Sequence, residues 1–301
     1  MPTAISNIGL QKLTAAAAIK KTTRRLRDCD IESAARDARL LVAAALGCDT
    51  VRLISQPDTE LDETQADLLE RYVKRRLAYE PVSRILGTRG FYGREFEISA
   101  ATLDPRPDSE TLIDAALELV GAGECGGNAP LRILDIGTGS GCLLVTMLAE
   151  LPHATGLGTD IDPQALDMAQ RNARRHGVQS RACWKLARSL NGIGEAFDLI
   201  VANPPYVPTG TIDTLEPEVR NYDPRTALDG GADGLDIYRE IAADLARVAP
   251  DGWVVFEVGI GQAEAVSEVI GSVRIGNEAP RIRIFRDLNG VERCVAWKAR
   301  S

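Results

Sequence analysis

Short apolar segments rich in β-branched residues alternate with longer helical segments between Leu131 and Val258. Strand–helix alternation of this kind is the signature of a doubly wound, mainly parallel sheet whose strands are buried on both faces. The predicted strands are Arg132–Ile136, Thr155–Thr159, Ala182–Leu186, Leu199–Ala202, Trp253–Val258, about Ile282–Arg286 and Arg293–Trp297. The last two flank Asn289-Gly290, a strong hairpin signal. We therefore expect an α/β fold with a seven-stranded sheet that ends in an antiparallel pair.

The first 80 residues read as a bundle of three to five helices. One helix is predicted from about Ile8 to Arg27. A second runs from Ile31 to Leu46, with Asp30 as its N-cap and Gly47 as its C-cap. Asp62 and Gln65 form a capping-box pattern that opens a third helix, and Pro81 ends it. Packing alone accounts for such a bundle, so it names no reaction.

The segment after this bundle changes character. Residues 91–98 alternate around Gly93, which predicts a β-hairpin. Further on, Asp108 or Ser109 is expected to cap a helix that runs to about Val120, and residues 121–130 read as a glycine-rich surface loop. The predicted domains are residues 1–85 (helical), 86–106 (hairpin linker) and 107–301 (the α/β domain).

Composition narrows the class of protein. The six cysteines form no C-x-x-C pair, which argues for a reducing, cytoplasmic compartment and against a disulfide framework or a zinc site. With only two histidines we expect no metal centre, and no apolar run reaches the ~18 residues of a membrane span. Residues 1–89 carry 15 Lys/Arg and 12 Asp/Glu, whereas residues 90–301 carry 20 and 31. An acidic α/β half is a poor electrostatic match for a nucleic acid.

Asn203-Pro204-Pro205-Tyr206 directly follows the predicted strand Leu199–Ala202. Prolines lack the N–H that a sheet ladder requires, so the strand must stop there. Asn203 then lies at the carboxyl edge of the sheet, where open α/β sheets bind ligands. Two interpretations are open: a simple strand terminator, or a rigid array of acceptors that holds a planar –NH2 group by both hydrogens.

Two more loops are predicted at the same edge. Asp135-Ile-Gly137-Thr138-Gly139-Ser140-Gly141 follows a strand and leads into a helix that begins near Ser140, and its glycines let the backbone approach a ligand. It is not the dinucleotide fingerprint, because the third glycine comes one residue too soon. Asp160 ends the next strand and either accepts both hydroxyls of a ribose or only caps the helix 163–176.

Together these loops resemble the class I, Rossmann-like S-adenosylmethionine-dependent methyltransferases. The chain resembles in particular the release factor glutamine methyltransferase family, and this likeness covers almost its whole length. The segments that carry the likeness are Glu80–Gly87, Phe91, Phe96, Pro105–Glu110, Asn203–Tyr206, Tyr222–Gly234 and Asp287–Arg293.

The resemblance implies methyl transfer from S-adenosylmethionine to the side-chain amide N5 of a glutamine in a GGQ-type loop of class-1 peptide-chain release factors. It implies catalytic and substrate-binding roles for Asn203, Pro204, Pro205 and Tyr206. It also implies cofactor-binding roles for Gly137, Thr138, Gly139, Ser140, Gly141, Asp160 and Asn203. The helical domain is expected to recognise the substrate, and we expect a monomer that does not act on nucleic acid or membranes.

One loop departs from the family pattern. Where the family usually carries an acidic residue beside an aromatic one, near the adenine, this chain has Ala187 and Arg188. Either Arg188 stacks on the adenine or the loop binds through its backbone. The roles of Arg106 and Glu110 also stay open. The alternative functions are glutamine methylation of a ribosomal protein, N-methylation of an exocyclic amine in a nucleic acid, and non-catalytic nucleoside binding.

Overall fold

The computed structural model describes residues 13–125, 130–273 and 279–299. The start of the predicted helix from Ile8 and the middle of the predicted loop 121–130 lie outside these residues. The chain divides into two compact units between Leu86 and Gly87. The hairpin predicted as a linker therefore belongs to the second unit.

The first unit is a helical bundle. Its helices are α1 (Ala15–Arg27), α2 (Ala34–Leu46), α3 (Thr50–Ser55), α4 (Glu63–Leu77) and α5 (Val82–Leu86). The capping box of Asp62 and Gln65 is confirmed, with both reciprocal hydrogen bonds present. Gly47 is confirmed as the left-handed C-cap of α2, at a φ of 66°.

The prediction that Asp30 caps α2 is wrong. Asp30 lies in the turn before the helix with a φ of 56°, and α2 begins only at Ala34, with Ser33 as its N-cap. Short polar side chains such as that of aspartate tolerate this left-handed conformation better than most residues, which explains why Asp30 serves the turn.

The second unit holds a two-stranded hairpin and a seven-stranded sheet with its helices. The strands are β1 (Thr88–Phe91), β2 (Arg94–Glu97), β3 (Arg132–Ile136), β4 (Thr155–Asp160), β5 (Ala182–Leu186), β6 (Leu199–Ala202), β7 (Trp253–Glu257), β8 (Arg281–Arg286) and β9 (Glu292–Lys298). The helices are α6 (Glu110–Gly121), α7 (Cys142–Glu150), α8 (Pro163–Arg175), α9 (Pro217–Tyr222), α10 (Asp236–Val248) and α11 (Ala263–Gly271). Short 3-10 helices span Pro107–Ser109, Thr209–Thr214 and Arg225–Ala227.

The sheet has the strand order β5-β4-β3-β6-β7-β9-β8. Strands β3 to β7 pair in parallel, and β9 pairs antiparallel with both β7 and β8. The predicted seven-stranded, mainly parallel sheet is therefore confirmed. The strand order reverses direction between β3 and β6, which is the topological switch point where open α/β sheets bind ligands.

Both faces of the sheet are covered, which explains its uninterrupted apolar strands. The adjacent residues Ile133 and Leu134 of β3 are fully buried but belong to two different core clusters, one on each face. A strand buried on both faces does not alternate between apolar and polar residues. Among the described residues, no helix is both long and apolar enough to span a bilayer.

Candidate active site

A cavity of about 400 Å³ opens at the carboxyl ends of β3, β4 and β6. The predicted site residues that line it are Gly137, Thr138, Gly139, Ser140, Asp160, Arg188, Asn203, Pro204 and Pro205. Gly141 and Tyr206 are not among its lining residues. The structure thus brings residues from four separate loops to one space.

The glycine loop after β3 is held in shape by its neighbours. Gly137 and Gly139 have φ values of 72° and 54°, in the left-handed region that favours glycine. The Thr138 N–H donates to the Thr159 carbonyl at 2.8 Å, and the Thr138 hydroxyl donates to Asp135 Oδ2 at 2.6 Å. The loop is therefore rigid before any ligand arrives.

Gly141 contributes to packing at the start of α7. Its φ is 78°, and a Cβ at this position would lie 2.9 Å from the Cβ of Ala169 in α8. Any larger residue would push these two helices apart. The helix predicted to begin near Ser140 begins at Cys142, with Gly141 as its N-cap.

Asp160 points its carboxylate at the glycine loop. Its Oδ2 accepts the Gly139 N–H at 2.9 Å and its Oδ1 accepts the Asp162 N–H at 3.0 Å. The N-cap of α8 is Asp162, whose side chain accepts from the Gln164 N–H. Capping is therefore not the role of Asp160. Burial raises the pKa of its carboxyl group, and the backbone hydrogen bonds oppose this shift.

Asp135 is a buried acid that the sequence reading did not single out. It lies on β3 directly beneath the loop, and its Oδ1 has no hydrogen-bond partner within the described ranges. Burial raises its pKa to about 7, although hydrogen bonds from Thr138 and the backbone of Leu144 lower it. An acid between the apolar residues Leu134 and Ile136 of a buried strand is the signal that would have found it.

Asn203 is fixed by a residue from another part of the chain. Its Nδ2 donates to the Ser109 hydroxyl at 3.1 Å. The prediction that Asp108 or Ser109 caps the following helix is confirmed for Ser109, which is the N-cap of α6 but makes no capping hydrogen bond with its side chain. Asp108 pairs with Arg293 at 2.7 Å.

The Asn203–Tyr206 loop is braced from behind. Gln262 Nε2 donates to the Tyr206 carbonyl at 3.0 Å, and Gln262 Oε1 accepts the Gly259 N–H at 3.0 Å. A Cβ on Gly230 would lie 2.6 Å from the Pro205 carbonyl oxygen, and one on Gly234 would lie 2.3 Å from that of Tyr206. These glycines let the 224–234 segment close directly onto the loop.

An ion pair joins the two walls of the cavity. Arg106 Nη2 donates to Asp223 Oδ2 at 2.5 Å, and the Asp104 N–H donates to Asp223 Oδ1 at 3.3 Å. Glu110, whose role the sequence left open, accepts the Tyr92 N–H at 2.8 Å in the turn of the hairpin. Arg106 therefore lies at the site, whereas Glu110 anchors the hairpin.

The guanidinium of Arg188 forms an ion pair with Glu240. It donates to the Glu240 carboxylate through Nε and Nη2 at 2.9 to 3.2 Å. The neighbouring Ala187 N–H donates to the Asp160 carbonyl at 2.9 Å. This arrangement favours the interpretation in which the loop meets a ligand through its backbone and Arg188 braces it.

Residues 17–87 match the family described as the PrmC N-terminal domain, and residues 125–215 match the Methyltransferase small domain. The release factor glutamine methyltransferase of Rhodospirillum rubrum is 46% identical over 278 residues, which are 92% of this chain and 82% of that protein. The chain belongs to the release factor glutamine methyltransferase family.

A second relative supports the same family assignment. The release factor glutamine methyltransferase of Bradyrhizobium diazoefficiens is 43% identical, over 90% of each chain. Among solved structures, the hMettl16 catalytic domain in complex with MAT2A 3'UTR hairpin 1 aligns with a TM-score of 0.54 at 16% identity, over 79% of this chain and 81% of that one. At this identity the likeness concerns the fold alone.

S-adenosylmethionine is the cofactor of this methyltransferase family, and the cavity fits it. The rigid glycine loop leaves space against the backbone, and Asp160 holds a preoriented carboxylate at the cavity wall. Apolar side chains such as Ile136, Leu143 and Ile161 also line the space. A nucleoside with a charged tail needs this mixture of backbone, acid and apolar surface.

Proposed function

We propose that this protein methylates the side-chain amide nitrogen of a glutamine in a class-1 peptide-chain release factor, using S-adenosylmethionine. The observation that carries the proposal is Asn203 at the cavity wall with its Nδ2 already donating to Ser109. Its Oδ1 is then available to accept a hydrogen bond from the substrate. Together with the Pro204 carbonyl it accepts both hydrogens of a planar –NH2 group.

The cofactor site in this proposal is the glycine loop, Gly137 to Gly141, with Asp160. Asp160 accepts the two ribose hydroxyls. Gly137, Thr138, Gly139 and Ser140 lie against the cofactor, whereas Gly141 contributes by fixing the start of α7. Arg188 holds the adenine loop through Glu240. When bound, S-adenosylmethionine supplies an electrophilic methyl group on a sulfonium.

The protein's own part in the reaction is orientation. An amide nitrogen is a weak nucleophile because its lone pair is delocalised into the carbonyl. Asn203 and Pro204 fix both hydrogens, which aims one face of the nitrogen at the methyl group and favours pyramidalisation as positive charge develops. The rigid Pro204-Pro205 backbone keeps these acceptors in place without reorganisation.

No side-chain base is required. The nitrogen becomes acidic as it gains the methyl group, so its proton leaves after the transfer. Burial raises the pKa of Tyr206 to about 12, so this phenol stays protonated at neutral pH and is not a base. We assign to Tyr206 the packing of the loop that carries Asn203, since its carbonyl is bound by Gln262.

The same proposal extends to how the substrate is bound and where the protein acts. The helical unit, residues 1–86, binds the release factor and takes no part in the chemistry. Residues 90–301 carry 20 basic and 31 acidic residues, a charge balance that disfavours a nucleic-acid substrate. We further propose that the protein acts as a monomer in the cytoplasm.

The test uses purified class-1 release factor and labelled S-adenosylmethionine, followed by mass spectrometry of the peptides. We expect one methyl group on the amide nitrogen of the glutamine in the GGQ-type loop. Ribosomal proteins and RNA are assayed in parallel under the same conditions. Methylation of either one, with none of the release factor, contradicts the substrate assignment.

A further inference from the structure

Glu257 is a buried acid directly beside Asn203. It ends β7, and the parallel register of β6 and β7 pairs Ala202 with Phe256. The next residue on each strand is Asn203 and Glu257. Glu257 is only 2% exposed, and its Oε2 has no hydrogen-bond partner within the described ranges. An isolated buried carboxylate is costly, so its presence here calls for a reason.

The carboxyl group of Glu257 belongs to the hydrogen-bond system that holds Asn203. The side chains of Ser109 and Asn203 both interact with it and lower its pKa, and Asn203 Nδ2 donates to the Ser109 hydroxyl at 3.1 Å. An ionised carboxylate can only accept. Ser109 must therefore donate its proton to Glu257, which leaves the lone pairs of its hydroxyl to accept from Asn203.

The direction of these hydrogen bonds fixes which way the side-chain amide of Asn203 is turned. With its –NH2 group turned towards Ser109 and Glu257, its Oδ1 is turned to the cavity. Protonation of Glu257 removes this constraint, because a protonated carboxyl group can donate a hydrogen bond to the Ser109 hydroxyl as well as accept one. The Ser109 hydroxyl is then free to donate to Asn203 Oδ1, and the flipped amide presents hydrogens to the cavity. Donors facing the –NH2 group of a glutamine repel it.

We propose that Glu257 is a positioning residue that acts through Ser109 to keep the acceptor oxygen of Asn203 facing the substrate amide. This inference rests on the proposed function, since it concerns how that site holds a glutamine. This positioning role explains why a charged group is buried here. A carboxylate sets the direction of the hydrogen bonds, whereas a neutral side chain of the same size would allow either direction.

Several charged and titratable groups surround Glu257. The ion pair of Asp108 and Arg293 acts on it electrostatically, and so do Tyr206, Tyr238, Cys142 and Cys294. Burial raises the pKa of Glu257 to about 7, while the hydrogen bonds from Ser109 and Asn203 and the charge of Arg293 lower it. The carboxylate is ionised above this pKa and protonated below it. Methyl transfer is therefore expected to slow as the pH falls through about 7.

The experiment compares Glu257→Gln with the wild type. The substitution keeps the volume and removes the charge. We expect kcat to fall ~10-fold or more, as misplaced reacting groups do, while the Kd for S-adenosylmethionine stays within about twofold. We also expect the slowing near pH 7 to be smaller in this variant than in the wild type. Asp135, with a pKa of about 7, titrates in both proteins and accounts for what remains. Glu268→Gln, an exposed glutamate on α11, is the matched control and keeps the wild-type kcat.

A purely structural role predicts a different pattern. Because ionising a buried carboxyl is unfavourable, Glu257→Gln is expected to have a Tm at pH 8 that is equal to or higher than that of the wild type. A structural role predicts a lower Tm. Ser109→Ala breaks the same relay, so the double variant Glu257→Gln with Ser109→Ala should be about as slow as either single variant.

A second readout does not depend on activity. The side-chain –NH2 signals of Asn203, assigned through their loss in Asn203→Asp, should shift between pH 6 and pH 8 in the wild type and stay fixed in Glu257→Gln. Wild-type kcat in Glu257→Gln, or multiplicative losses in the double variant, overturns the positioning role. A wild-type protein that shows these shifts yet transfers no methyl to release factor refutes the proposed function instead.

Discussion

Asp160→Ala is the perturbation that most directly tests the proposed cofactor site. Two backbone N–H groups hold the Asp160 carboxylate, at 2.9 and 3.0 Å, and each oxygen keeps lone pairs for a ribose hydroxyl. Hydrogen bonds to charged groups contribute roughly 1.5–3 kcal/mol each. Loss of two such bonds costs at least about 3 kcal/mol, which weakens the Kd roughly 100-fold or more.

Isothermal titration calorimetry at pH 8 measures this loss. Asp160→Asn keeps one acceptor oxygen and should weaken the Kd about tenfold, near the cost of one such bond. Asp167→Ala makes the same change on an exposed position of α8 and should leave the affinity unchanged. Since burial raises the pKa of Asp160, wild-type affinity should also begin to fall at a higher pH than an ordinary aspartate allows.

The result that refutes this reasoning is an unchanged Kd in Asp160→Ala with a folded protein. In that case Asp160 serves only to hold the glycine loop through Gly139. A second contradicting result is an acid-induced loss of affinity that persists unchanged in Asp160→Asn, because the titrating group would then lie elsewhere.

Two further predictions concern the adenine loop and the helical unit. Arg188→Ala should change the Kd for S-adenosylmethionine by less than about threefold in calorimetry, because its guanidinium is bound to Glu240; a loss of about 1 kcal/mol would indicate stacking on the adenine instead. Deleting residues 1–86 should raise the KM for intact release factor in methylation assays while leaving cofactor affinity intact, and an unchanged kcat/KM would contradict substrate recognition by this unit.

The sheet could be predicted almost to the residue, and for a clear physical reason. Strands buried on both faces must be short and apolar, and the turn residues that separate them are glycine and proline. The predicted strand Arg132–Ile136 matches β3, and the Asn289-Gly290 turn lies between β8 and β9 as expected. The position of Asn203 at the sheet edge follows from the same pattern, because Pro204 ends the strand.

Contacts between distant residues could not be predicted in the same way. Ser109 has the local pattern of a helix cap, but its hydroxyl accepts from Asn203, 94 residues away. Glu257 reads as the last residue of a buried strand, and only the pairing of β6 with β7 places it beside the site. The partner of Arg188 is likewise 52 residues away. Local propensity carries no information about such pairs.

The most direct measurement of the proposed mechanism is kcat for methylation of release factor by the Asn203 variants. Asn203→Ala removes an acceptor aligned with the substrate amide, so kcat should fall ~100-fold or more, with a much smaller change in cofactor affinity. Asn203→Asp keeps the acceptors and the size, so it should retain partial activity. Full activity in Asn203→Ala contradicts the mechanism, since the Asn203–Tyr206 segment would then do no more than end a strand.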